Sequence, residues 1–273
     1  MTGHVPPSEE DLEEDDGENG LTRRRRSSGS DSQCQVDSGR SLPRSFDWRD
    51  QDKVTSVKNQ GSCGSCWTFA SMGAMESAIL IKNNQKASSN NIDLSEQLLV
   101  NCGKQQAGYR GGGCQGGNSQ IAFSFVQKDF TTSESVRPYQ AKDETCEMNS
   151  VRSDRRSISD YCVRSKFRYS YSSRAEQLSD DTMMRALVQK GPLYIAINAN
   201  PLQYRNLRSG VLNEPGCSTQ TNHAVLLVGY DGSDNSWIIK NSWGPYWGDR
   251  GYFKMARGSN MCGVNTEIAW PIL

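Results

Sequence analysis

The chain is poor in histidine, in apolar residues and in long hydrophobic runs. Its 273 residues include two histidines, and 35% of them are hydrophobic. No stretch approaches the ~20 consecutive apolar residues of a membrane-spanning helix, so none is expected to span a bilayer. Met1 leads into a polar, acidic segment without the apolar core of a secretory signal. If the protein is secreted, the expectation is an N-terminus that is processed or incomplete in this chain. An Asn-x-Ser/Thr sequon is also missing, so glycosylation gives no support for secretion. Net charge is zero, but it is unevenly spread. Taking the ten acids and five arginines of residues 1–41 from the 31 of each sign leaves 26 basic and 21 acidic residues. That surplus is too small and scattered for nucleic-acid binding.

Cysteine, by contrast, is abundant. Nine cysteines point to an oxidising compartment, and the odd number leaves at least one thiol free or paired with another chain. Residues 1–41 read as a disordered tail or the remnant of a pro-segment. An acidic run from Glu9 to Asp16 gives way to Arg23–Arg26 and then to Ser and Gly, with too little apolar surface to offset chain entropy. The four arginines read as a processing site, a localisation signal or a solvated tail. Order is expected from Leu42, giving one domain over residues 42–273.

Phe69, Met72, Met75, Ala78 and Ile79 recur at helical spacing and predict a helix from Cys66 to about Lys82 with one apolar face. Gly73 inside it costs about 1 kcal/mol relative to alanine. Shorter helices are expected over Ser95–Val100 and Asn118–Gln127. Leu193–Ile197, His223–Val228, Ser236–Ile239 and Gly251–Met255 read as strands, punctuated by Gly and Asp. A helical half is thus followed by a strand-rich half.

The densest signal is Gln60-Gly61-Ser62-Cys63-Gly64-Ser65-Cys66-Trp67. A cysteine opening a helix sits at the positive end of its dipole, which favours the reactive thiolate. Such a nucleophile needs a base. His4 lies in the tail, so His223 is the candidate. Eighteen residues on, Asn241 can accept a hydrogen bond from one ring nitrogen and orient the imidazole. The Cys63-x-x-Cys66 spacing also admits a redox dithiol or half a zinc site. One histidine and no second such pair leave too few zinc ligands, and the βαβ context of a dithiol redox site is missing.

Together, Cys63–Trp67, His223 and Asn241 resemble the signature of papain-like cysteine proteases of the cathepsin kind. Phe46–Arg49, Leu94–Gln97, Cys114–Gly117 and Asn241–Gly248 extend the likeness over about residues 42–273. The resemblance implies an α+β fold of two domains, a helical left one and a β-barrel-like right one, with the active-site cleft between them. It implies that Cys66 attacks a peptide carbonyl and that His223 pairs with it as an imidazolium. Asn241 would orient His223 and Trp243 would shield that bond. The Gln60 side chain and the Cys66 N–H would form the oxyanion hole. Gly116 and Gly117 would pair with substrate backbone. Asn118, Ser119, Ala196, Thr221 and Ala224 would wall the main specificity pocket, with Glu267 as its floor. Glu267 then either admits arginine beside apolar side chains or is a surface ion-pair glutamate. The implied disulfides are Cys63–Cys114, Cys102–Cys146 and Cys217–Cys262, leaving Cys34 and Cys162 unassigned.

The expected activity is that of an endopeptidase working through an acyl-enzyme, without metal or organic cofactor. Expected partners are peptide or protein substrates and an inhibitory pro-segment or protein inhibitor, with neither nucleic acid nor membrane. The expected location is lysosomal, vacuolar or extracellular. An aminodipeptidase, a non-catalytic module keeping the fold, and a dithiol oxidoreductase are the alternatives. Three departures stand out. The helical pattern of an inhibitory prodomain is missing from residues 1–41. The segment between Cys102 and Cys114 is short and lacks histidine, unlike carboxydipeptidase relatives. The polar, Arg-rich Cys146–Gln177 reads as a surface insertion.

Overall fold

The computed structural model describes residues 2–6, 30–103, 112–151, 153–165, 178–201, 204 and 206–273. Its helices are α1 (Ser30–Cys34), α2 (Cys66–Lys82), α3 (Glu96–Cys102), α4 (Ser119–Lys128) and α5 (Asp180–Lys190). Its strands are β1 (Phe46–Asp47), β2 (Asp160–Ser165), β3 (Leu193–Ile197), β4 (Val211–Leu212), β5 (His223–Asp231), β6 (Ser236–Lys240), β7 (Tyr252–Ala256) and β8 (Glu267–Ile272). The strands form one sheet in the order β2-β8-β3-β5-β6-β7-β4, with β1 paired to β5. Among the described residues the order does not close on itself, so the strand-rich half is an open, mixed sheet that is barrel-like only in a loose sense. Its pairs are antiparallel except β4 with β7.

The strand period of two divides the core. On β5, Ala224, Leu226 and Val228 pack with Trp67, Met72, Leu98 and Phe123 of the helical half. Val225 and Leu227 turn to the other side, among Leu187, Ile195, Trp237 and Phe253. β5 is therefore a wall common to two cores.

The predicted α2 has the bounds the sequence suggested, but its apolar face is not single. Every residue from Cys66 to Ser77 is buried. The helix runs between α3 and α4 on one side and β5 and β8 on the other, and a helix enclosed all round needs no polar face. Gly73 has a packing reason: a Cβ there would lie 3.1 Å from Leu226 Cδ2. α3, α4 and α5 are capped by Ser95, Asn118 and Ser179, each accepting a backbone N–H.

Two parts of the expected tail pack on the domain. Cys34, at the end of α1, is bonded to Cys162 on β2, and Arg164 donates to the Cys34 carbonyl at 2.8 Å. Residues 2–6 enter the cleft described below. The expected surface insertion is also partly structural, because β2 pairs with β8 over six residues. Residues 166–177 of that stretch lie outside the described residues, as do residues 104–111 of the short histidine-free segment.

Candidate active site

Cys66 is the first residue of α2 and His223 the first of β5. The two elements pack together, which brings Cys66 and His223 to one boundary between the two halves. Cys66 Sγ accepts the N–H of Ala224, the residue after His223, at 3.3 Å. His223 Nε2 lies 2.8 Å from Asn241 Oδ1. The same oxygen accepts the Ser242 N–H at 2.9 Å. An atom receiving a backbone N–H is an acceptor, so Nε2 carries the proton and neutral His223 keeps a free lone pair on Nδ1. That Nδ1 is buried without a hydrogen-bond partner among the described residues.

Aromatic rings cover the pair. Trp243 lies 5.0 Å from the His223 ring, and Tyr204 stands 5.1 Å from Trp243. Trp247 closes the group at 5.3 Å from Trp243. Tyr204 and Trp247 were not legible as site residues, because nothing local in the sequence ties them to His223.

Gln60 braces both sides. Its side chain donates to Cys63 O at 2.9 Å and accepts the Ser242 hydroxyl at 2.7 Å. Its backbone N–H donates to Ser242 O at 2.8 Å. A further residue, Tyr139, donates its hydroxyl to Gln60 O at 2.8 Å and receives the Ser65 hydroxyl. It thereby ties both ends of the loop that leads into α2, a role no spacing in the sequence reveals.

All three disulfides implied by resemblance are formed, with Cys34–Cys162 in addition. Cys66 is the one free cysteine. Because Cys63 is bonded to Cys114, Cys63 and Cys66 cannot work as a dithiol.

The pocket residues divide. Ala196 and Ala224 face each other across β3 and β5. Ser119 gives its hydroxyl to Glu267 Oε1 at 2.5 Å. Glu267 is 1% exposed, so it is no surface ion-pair residue; burial pushes its carboxyl up to about 7, against the Ser119 bond. Asn118 is not a simple wall, since its side-chain oxygen caps α4 by accepting the Ile121 N–H at 3.0 Å. Thr221 is buried, and a Cβ on Gly263 would lie 2.9 Å from its methyl group.

Residues 2–6 lie over this site. His4 forms a parallel bridge with Gly117. Gly117 N–H donates to Gly3 O at 2.9 Å, Val5 N–H to Gly117 O at 2.9 Å, and His4 N–H to Asn222 O at 3.0 Å. A Cβ on Gly116 would fall 2.5 Å from Gly3 O, so the close approach requires glycine there. Cys66 Sγ accepts the Gly3 N–H. Under this cover the thiol is fully buried, and burial pushes it up to about 11 despite its helix terminus and backbone donors. Burial likewise holds His223 down to about 4, with the Asn241 bond opposing. The thiolate expected from the helix dipole is thus outweighed by desolvation while the cleft is filled.

Two lobes thus meet at a thiol, an imidazole and the amide bonded to it. The chain belongs to the papain family of cysteine proteases, whose family model matches residues 42–272. It is 37% identical over 242 residues to cathepsin S of Mus musculus, covering 86% of this chain and 65% of that protein. It is 38% identical over 230 residues to digestive cysteine proteinase 1 of Homarus americanus, covering 82% and 66%. The chain therefore spans just under two thirds of the length of these curated relatives. Among solved structures it resembles digestive procathepsin L2 proteinase from Tenebrio molitor larval midgut, with TM-score 0.72 and 36% identity over 87% of this chain and 70% of that one. The Carica candamarcensis cysteine protease CMS1MS2, solved with E-64, gives TM-score 0.71 and 30% identity over 85% and 99%.

Proposed function

We propose that the protein is a cysteine endopeptidase held closed by its own residues 2–6. The observation that carries the reading is Cys66 at the start of α2, across from His223, whose outer nitrogen is fixed by Asn241. With the cleft open, Cys66 attacks a peptide carbonyl as thiolate and His223, as imidazolium, protonates the leaving amine. The Cys66 N–H and the Gln60 amide stabilise the oxyanion. Asn241 keeps the imidazole in its working orientation, and Trp243 excludes water from that bond.

The cleft holds a strap of five consecutive residues, Thr2 to Pro6, bonded through its backbone to Gly117 and Asn222. That strap is presented as an inhibitor. The sulfur meets an N–H, that of Gly3, which offers it no electrophilic carbon. Glu267 accepts arginine beside apolar side chains, since ionising it in its buried site calls for a cationic partner. Eight of the nine cysteines are paired, which supports a lysosomal, vacuolar or extracellular setting.

The test is hydrolysis of an N-blocked Phe-Arg fluorogenic peptide under mildly acidic, reducing conditions, with Cys66→Ala alongside. Turnover abolished by the substitution is the expected result. Turnover of free-amine dipeptide substrates alone would replace the endopeptidase reading with the aminodipeptidase one. Folded wild type inert towards both would leave the binding-module reading.

A further inference from the structure

The strap carries a side chain into the region where resemblance puts the specificity pocket, and that side chain meets a residue outside the expected walls. His4 Nδ1 lies 2.9 Å from Tyr194 Oη, and both residues are buried. Tyr194 is on β3 two positions before Ala196, hence on the same face of the strand.

The proton between the two rings can be assigned. Tyr194 Oη accepts the backbone N–H of Ser119. Its own hydrogen is then free to be donated to His4 Nδ1. This makes His4 the neutral tautomer with its proton on Nε2, in keeping with the burial that lowers its pKa to about 3. Ser119 also donates its hydroxyl to Glu267 at 2.5 Å. Tyr194, Ser119 and Glu267 are thus one connected polar group beside two small walls, Ala196 and Ala224. An apolar occupant would leave the buried Tyr194 hydroxyl without an acceptor, and a site built to hydrogen-bond its ligand discriminates most strongly on that ground.

We propose that Tyr194 is a specificity-determining residue, donating a hydrogen bond to a neutral imidazole, so that substrates with histidine two residues before the cleaved bond are preferred to those with leucine. The inference rests on the peptidase reading above and deepens it.

The experiment is a competition between two N-blocked peptides, His-Arg and Leu-Arg, that differ only at this position. It uses the full chain and Tyr194→Phe at about pH 7.5, where free imidazole is neutral. Both substrates meet the same fraction of open cleft, so strap occupancy cancels from the ratio of their kcat/KM values. The ratio of His-Arg to Leu-Arg is expected to fall about tenfold in Tyr194→Phe, the size of one lost hydrogen bond. Tyr194→Phe also removes the strap's bond from His4, so absolute rates shift for both substrates, only their ratio is read, and folding of the variant is checked by circular dichroism. An unchanged ratio overturns the role of Tyr194. Failure of folded wild type to cleave either peptide both at this pH and at about pH 5, where the strap is loosened, overturns the peptidase reading itself and the inference with it.

Discussion

Acid should loosen the strap, and the size of the effect follows from His4. Free histidine titrates near 6.5, whereas docked His4 is held to about 3 by burial and by the charge of His223. The groups facing it are His223 and Tyr194, with Glu267 reached through Ser119. A docked value below the free one means that docking is fully favourable above about pH 6.5 and weakens as pH falls towards the docked value. At about pH 5, roughly 1.5 units below the free value, docking is weaker by about 2 kcal/mol, or about thirtyfold. The assay is alkylation of Cys66 by a neutral chloroacetamide in wild type and in His4→Leu. Leucine keeps an apolar side chain in the pocket but takes up no proton. The thiol's own titration and that of His223 occur in both proteins, so the wild-type-to-variant ratio of rates isolates His4. Between about pH 7.5 and 5 this ratio should rise by up to about thirtyfold. A flat ratio would refute the argument that docking holds His4 neutral.

Two more outcomes are expected. Glu267→Ala should reduce the preference for arginine over phenylalanine two residues before the cleaved bond. In wild type that preference should strengthen as pH rises through about 7, where the Glu267 carboxyl ionises; kcat/KM for paired substrates across pH checks both. Replacing Cys34 and Cys162 together by serine opens a bridge spanning 128 positions and should lower stability by about 2–4 kcal/mol, measured by denaturant unfolding without reductant.

The grouping of Cys66, His223 and Asn241 was legible because each chemical requirement narrowed to a few residues. A helix-opening cysteine needed a base, and the folded part offered only His223. α2 was legible from the helical spacing of its apolar residues, and β3 from its short apolar run, all five residues of which are buried. β2, β8 and α5 were not. β2 mixes Asp160, Arg164 and Ser165 with apolar residues because one of its faces is half-exposed. β8 contains Pro271, which demotes a strand reading. α5 sets six polar residues among five apolar ones, and only Met183, Ala186 and Leu187 of it are buried. The strap escaped composition altogether. Its stability comes from backbone bonds to Gly117 and Asn222, which depend on no side chain, and from a single histidine whose tail position argued against any role. Tyr139 and Tyr194 were missed for a related reason: their hydroxyls act over sequence separations of 74 and 190 residues.

That β5 serves both cores has a mechanical consequence. Lobes joined by a linker can swing apart and admit substrate by hinge opening. Here the strand that bears His223 is also the floor of the helical lobe and the centre of the sheet, so separating the lobes would mean tearing either core. The gap between Cys66 and His223 is therefore a fixed slot of set width. Entry into a fixed slot is a contest among chains for one berth, decided by the relative affinities of the first tenant and its rivals.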